Sequence, residues 1–204
     1  MARGRGRMIL WEVSRASAFV AFTCYTLVIA WGMGLSARAW RPPAPQLGFH
    51  RFLASVGLVA LALHIATLML DRFARVTLSS LVGLDPRPAV TAGAAAMWLA
   101  VALPLSFKLK QARWMTQRAW RGLHYFGYAV WGLALAHGIA TGTDTRSAWA
   151  LIFYGSCASL VAGVAWHRWL ERPAQAPPAA APHRLDGARP PHLTAALESE
   201  GAEQ

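Results

Sequence analysis

Charge is scarce in this chain and absent from long parts of it. Only 14% of its 204 residues are Asp, Glu, Lys or Arg, whereas about 25% is usual in a soluble domain. Five stretches of 19 to 22 residues carry no charge: 16–37, 52–70, 88–107, 122–143 and 147–167. About 20 apolar residues cross the hydrocarbon core of a bilayer. The sequence therefore predicts an all-α integral membrane bundle of five transmembrane helices and argues against a soluble enzyme.

Cysteine is rare, and carboxylates are missing from the apolar stretches. Cys24 and Cys157 belong to no C-x-x-C or C-x-x-C-H pattern, so neither a disulfide framework nor covalently attached c-type haem is supported. A di-iron carboxylate centre is excluded because none of the five stretches holds an Asp or Glu. The same absence weakens an ion pump or proton-coupled transporter, which usually relies on a buried carboxylate.

The net charge of +11 sits in the segments between and around the apolar stretches. There it sets membrane orientation, and no basic–aromatic module typical of nucleic-acid binding is present. With five crossings, the first and third loops and the C-terminus share one side, which holds twelve Lys and Arg against eight on the other. We therefore expect a multi-pass protein of the cell inner membrane with a cytoplasmic C-terminus and no nucleic-acid partner.

The chain divides into three parts by composition. Residues 1–11 form a basic N-terminal segment, and 12–170 form the membrane domain. Residues 171–204 are rich in Ala and Pro, which predicts a disordered tail. The stretch 16–37 is too long for the apolar core of a signal peptide and is interpreted as a retained helix. The loop 71–88 is interpreted as an amphipathic connector in preference to a surface lid.

Four histidines in the second and fourth apolar segments form a pattern. His50 and His64 lie 14 residues apart on the second, and His124 and His137 lie 13 apart on the fourth. These two segments run parallel, so His50 matches His124 in depth and His64 nearly matches His137. The levels are about 20 Å apart at 1.5 Å per residue. One metal ion does not bridge that distance, but two cofactors, each held by one histidine from each helix, fit.

Haem suits such histidine pairs better than zinc does. Two imidazoles supply the axial ligands of a haem iron, whereas zinc requires further ligands that the apolar stretches lack. The helical geometry places both histidines on one face in only one of the two helices. His50 and His64 share a helix face, but His124 and His137 fall about 140° apart in a straight helix. Gly122, Gly127, Gly132 and Gly138 are candidate bending points there. The alternative is that all four histidines are structural and hydrogen-bonded to neighbouring helices.

Four segments carry a family resemblance. They are Phe49-His-Arg-Phe-Leu-Ala54, Leu63-His-Ile65, Trp120-Arg-Gly-Leu-His-Tyr-Phe-Gly-Tyr128 and Ala136-His-Gly138. With them, residues 10–170 resemble the ferric reductase-like transmembrane domain, which is found in NADPH oxidases, metalloreductases and the haem subunit of bacterial methionine sulfoxide reductase. The resemblance implies two b-type haems, one held by His50 and His124 and one by His64 and His137. It also implies that Arg51, Arg118 or Arg121 lies near the propionates of the first haem.

The resemblance implies a role in electron transfer across the membrane. Oxidases and metalloreductases of this superfamily carry a cytoplasmic flavin- and nicotinamide-binding module after the last span, and this sequence holds no G-x-G-x-x-G or P-loop motif in a strand–helix context. We therefore expect a separate donor, either a cytoplasmic flavoprotein or quinol, and a periplasmic acceptor or reductase. Two alternatives stay open: a haem subunit dedicated to a periplasmic reductase, and a non-redox membrane scaffold or transporter.

Overall fold

The structure is a computed structural model that describes residues 2–35, 45–71 and 74–171, with side chains from residues 8 and 46 onward in the first two ranges. Every regular element within these ranges is helical. The seven helices are α1 (Ala2–Leu35), α2 (Pro45–Leu70), α3 (Leu78–Leu81), α4 (Pro88–Gln111), α5 (Gln117–His124), α6 (Phe126–Thr141) and α7 (Ala148–Leu170). The predicted all-α class is confirmed. The predicted disordered tail, from residue 172 on, lies outside the described residues.

Four helices are long and apolar enough to cross a membrane. They are the segments Met8–Leu35, Gln46–Leu70, Pro88–Gln111 and Ala148–Leu170. They contain four of the five predicted stretches, apart from residues 36 and 37, which are not described, and Ser147, which is the N-cap of α7. Large apolar side chains on their outer surfaces are exposed, among them Val59 at 70% and Ile152 at 68%. Such faces are stable against lipid and costly against water, so the chain is a multi-pass membrane protein.

The remaining predicted span, 122–143, is interrupted. The chain leaves α5 at His124 and enters α6 at Phe126, with Tyr125 at the junction. The 16 residues of α6 extend about 24 Å, which is shorter than the hydrocarbon core of about 30 Å. A fifth continuous span is therefore not confirmed. At the junction, the N–H of Tyr125 bonds to the Gly122 carbonyl and the N–H of Tyr128 bonds to the Tyr125 carbonyl, so three-residue hydrogen bonds replace the four-residue bonds of an α-helix. The start of α5 is capped by the Thr116 hydroxyl, which accepts a hydrogen bond from the backbone N–H of Ala119.

Two helix pairs make up the bundle. α1 packs along α2, and α4 packs along α6; α1 also contacts α6 and α7, while α2 touches α4 only lightly. Small buried residues such as Ser17, Ala94 and Ala100 allow this close approach. Buried Ser and Thr hydroxyls such as those of Ser17 and Thr26 bond to carbonyls of their own helix, which satisfies these groups in an apolar environment.

A cavity of about 550 Å³ separates the two helix pairs. Its walls come from α1, α2, α4 and α6, and its polar residues gather at one end, among them Arg15, Arg87 and Asp144. We name this the His64 end, because His64 and His137 also line the cavity. The other end of the bundle, where His50, His124 and Lys110 lie, is named the His50 end. The loop between α2 and α4 contributes Ala74, Val76, Ser80 and Leu81 to the cavity wall. It therefore forms part of this wall as well as connecting the two helices.

Candidate functional site: two histidine pairs

His50 and His124 are brought together, as their matched depths predict. His50 lies near the start of α2 and His124 is the last residue of α5. Their ring centroids are 6.1 Å apart, with 54° between the ring planes. The two imidazoles therefore form a tilted ring pair between α2 and α5.

The ring of His50 packs closely against α1 at Gly32, which has no side chain. A Cβ at residue 32 would lie 3.3 Å from Cε1 of His50, so only glycine leaves ordinary space for the ring. Nδ1 of His50 is buried and has no hydrogen-bond partner among the described residues. The backbone of Val28 lies near this ring but outside ordinary hydrogen-bond geometry. Nδ1 lies on the α1 side of the ring, 3.7 Å from the position of a Cβ at residue 32, so this atom faces α1.

His64 and His137 form the second pair. Nδ1 of His64 lies 2.9 Å from the carbonyl oxygen of Ser14 and 3.1 Å from the Ser14 hydroxyl. Nδ1 of His137 lies 2.7 Å from the carbonyl oxygen of Ala89. Because a carbonyl oxygen only accepts, each Nδ1 carries the proton and each neutral ring keeps its lone pair on Nε2. Both rings line the cavity, and this tautomer is the one that ligates a metal through Nε2.

The break at Tyr125 removes the conflict in helical phase between His124 and His137. In one straight helix, 13 residues place the two side chains on different faces. Here they belong to separate helices, α5 and α6. His124 faces His50 of α2, and His137 packs against Ala89 and Gly93 of α4. Bending at the glycines stays a prediction, and the interruption that the structure shows falls at Tyr125.

The three predicted propionate contacts all lie at the His50 end. The Arg51 guanidinium sits 4.9 Å from the centroid of Phe107, in cation–π geometry. Arg118 and Arg121 are exposed on α5. None of the three lines the cavity at the other end. Their role toward a haem stays a prediction.

Sequence reasoning missed the polar residues at the His64 end. Arg15 and Asp144 form an ion pair that joins α1 to the α6–α7 loop, and both line the cavity. Arg15 was interpreted only as a topology charge, and a pair 129 residues apart has no local signature. The hydrogen bond to Ala89 was equally hidden, because its acceptor is a backbone atom.

Asp85 and Arg87 fix the loop at this end. The Arg87 guanidinium donates to both Asp85 oxygens, at 2.8 and 2.9 Å, and Ser80 donates to the same carboxylate at 2.6 Å. Arg87 also reaches the carbonyls of Ala74 and Arg75. The Arg87 guanidinium holds the pKa of Asp85 well below its usual value, because its hydrogen bonds favour the carboxylate. The hydrogen bonds of Asp85 and Arg87 therefore close the loop between α2 and α4.

The donor set favours two-ligand sites. Among the residues that the structure describes, no group of three or more His, Cys, Asp or Glu is placed to hold a metal ion. The cysteines do not complete either pair, since Cys24 and Cys157 are free and buried elsewhere in the bundle. What the described residues supply at each end is two imidazoles from two helices.

Comparison of the chain with models of known protein families, with curated proteins and with solved structures finds no match. Membership of the ferric reductase-like group therefore stays a prediction from the four segments quoted above.

Proposed function

We propose that this chain is a dihaem b-type membrane protein that carries electrons from one face of the bilayer to the other. The observation that carries the proposal is the 6.1 Å separation between the ring centroids of His50 and His124. At this separation His50 and His124 would be able to hold one haem iron between their rings, which is the reason for assigning a haem to this pair.

The residues present fit two haems. His50 with His124 would hold one, and His64 with His137 the other. When bound, such a haem supplies one-electron transfer between its ferric and ferrous states. The chain contributes the ligand tautomer at His64 and His137, set by the Ser14 and Ala89 carbonyls. It also contributes a mainly apolar cavity around that pair, whose low polarity would tune the redox potential of a haem held there.

We further propose that α5 and α6 together complete a fifth crossing. Their combined length from Gln117 to Thr141 is sufficient, and the histidine pairing requires that this segment run parallel to α2. Five crossings and the charge count then place the His50 end and the C-terminus in the cytoplasm, in the bacterial inner membrane. A cytoplasmic flavoprotein or quinol would supply electrons there, and a periplasmic acceptor or reductase would take them at the His64 end.

The alternative of a non-redox scaffold or transporter explains the second pair but not the first. His64 and His137 are hydrogen-bonded, as structural histidines would be. The buried Nδ1 of His50 has no partner among the described residues, and the facing imidazole of His124 does not supply one. Nδ1 of His50 faces α1, so what supports a ligand at the His50 end is the approach of two imidazoles from separate helices. A haem subunit dedicated to a periplasmic reductase stays compatible with the same site.

The deciding experiment is the reduced-minus-oxidised spectrum of the purified protein, with haem quantified per chain. We expect a b-type α band and two haems. Replacing His64 and His137 together with Ala should remove one haem and leave the other reducible. His167→Ala is the matched control, because that imidazole is exposed at the end of α7 and contacts Glu171. Protein without haem, after expression with ample haem supply, overturns the proposal in favour of the scaffold.

A further inference from the structure

The two histidine pairs are held in different ways. At the His64 end each Nδ1 is anchored by a backbone carbonyl, so hydrogen bonds fix both rings. At the His50 end, neither ring makes a hydrogen bond of ordinary geometry within the described part of the chain. His124 is also exposed, on a helix of only eight residues. Something other than hydrogen bonding must orient its imidazole.

Trp120 supplies that orientation. It precedes His124 by four residues on α5, so the two side chains lie one above the other on the same helix face. Their ring centroids are 5.1 Å apart, and the planes are inclined by only 27°, which is a stacked arrangement. The buried Nε1 of Trp120 has no hydrogen-bond partner among the described residues, so stacking places this indole too.

The opposite helix completes the arrangement. Lys110 of α4 holds its ammonium nitrogen 4.3 Å from the centroid of Trp120. Phe107, one turn earlier on α4, lies 5.9 Å from the same indole at an inclination of 57°. A cation over an indole face is the strongest form of cation–π contact, and it is strengthened where water is limited. Trp120 is thus fixed between α4 and the histidine.

We propose that Trp120 is a positioning residue for His124, and that the stack of Lys110, Trp120 and His124 replaces the kind of hydrogen bond that orients His64 and His137. The inference rests on the proposed function, since its value lies in presenting His124 opposite His50 for haem. The contacts of Trp120 with Phe107 and Lys110 also attach the His50 end to α4. Lys110 also places a cation over the indole that stacks on the ligand at this end.

The first test uses haem-loaded protein. Trp120→Leu removes the stack, and we expect the affinity for the His50-end haem to fall about 10- to 100-fold, as for other partners that orient a ligand histidine. Trp120→Phe should rescue it. Electron paramagnetic resonance reports the angle between axial imidazole planes, so the Trp120→Leu signal of that haem should shift or vanish while the other haem stays unchanged. The matched control is Trp114→Leu, because Trp114 is 83% exposed.

Lys110→Gln tests the cation, with Lys108→Gln as its control on the same helix. Loss of the ammonium group should lower the midpoint potential of the His50-end haem alone, because a nearby cation favours the added electron. Equal shifts in both lysine variants would mean that only general surface charge matters. Identical haem content and resonance spectra in Trp120→Leu and Trp114→Leu would overturn the positioning role.

A second measurement separates this inference from the haem proposal. In haem-free protein with labelled histidines, the His124 ring protons should lie in the ring current of Trp120. Trp120→Leu should move those resonances, and Trp114→Leu should not. If the protein binds no haem but these shifts occur, the stack is real and the proposed function fails. If haem binds and neither the shifts nor the resonance changes occur, the positioning role fails and the proposed function stands.

Discussion

Gly93 of α4 leaves the space that the imidazole of His137 occupies. A Cβ at residue 93 would lie 2.6 Å from Nδ1 of His137 and 2.7 Å from its Cε1, closer than packed atoms allow. The same ring is hydrogen-bonded to Ala89, one turn earlier on α4. The close packing of α4 on α6 and the position of this histidine therefore depend on one missing side chain.

Gly93→Ala should push His137 away from α4. Overpacking typically costs about 1–3 kcal/mol, which outweighs the roughly 1 kcal/mol that Ala gains over Gly in helix propensity. Thermal unfolding in detergent measures the loss, and haem content reports the effect at the His64 end. The control is Gly132→Ala on α6, where a Cβ meets nothing within 4 Å. Equal stability of the two variants would show that the ring moves aside freely.

Low pH should loosen the loop between α2 and α4. The pKa of Asp85 is lower in the folded protein than in the unfolded chain, so its contribution to stability is present at neutral pH. It begins to be lost as pH falls below about 4, the usual pKa of Asp, and disappears as the folded-state pKa is approached. Limited proteolysis or hydrogen exchange of residues 74–87 measures the opening. In Asp85→Asn the loop should already be open at pH 7, and its protection should no longer change through this range.

The ion pair between Arg15 and Asp144 should tie α1 to the α6–α7 loop. Both side chains are about 30% exposed, so we expect a coupling of about 1 kcal/mol, near the upper end for exposed pairs. A double-mutant cycle with Arg15→Gln and Asp144→Asn measures it from unfolding in detergent. Arg15 also contacts Glu12, which is 67% exposed. Glu12→Gln should therefore change stability little. A coupling of zero between Arg15 and Asp144 would show that their ion pair does not stabilise the fold.

A topology reporter distinguishes five crossings from four. A reporter active only outside the cytoplasm should be silent when fused at Arg113 between α4 and α5, active at Thr143 in the α6–α7 loop, and silent after Glu171. If Arg113 and Thr143 report the same side, α5 and α6 do not complete a crossing. If all three fusions are reversed, the orientation from the charge count is wrong, while the pairing of His50 with His124 is unaffected.

Much of this architecture followed from local composition. Apolar stretches of membrane length predicted four helices that the structure contains, because a bilayer requires every backbone group to be bonded within its own segment. Depth matching predicted that His50 and His124 meet, since helices rise by a fixed step per residue. The break at Tyr125 was not predicted, because apolar character alone does not distinguish one helix from two in succession.

The sequence by itself determined the membrane class, the helical content and the two levels at which histidines occur. Only the tertiary structure decided what surrounds each ring: a glycine and a backbone carbonyl at His137, and an indole under a lysine at His124. The reason is physical. Hydropathy and helical rise act along the chain, whereas Gly93, Ala89 and Lys110 reach the histidines from another helix, across distances that no local pattern encodes.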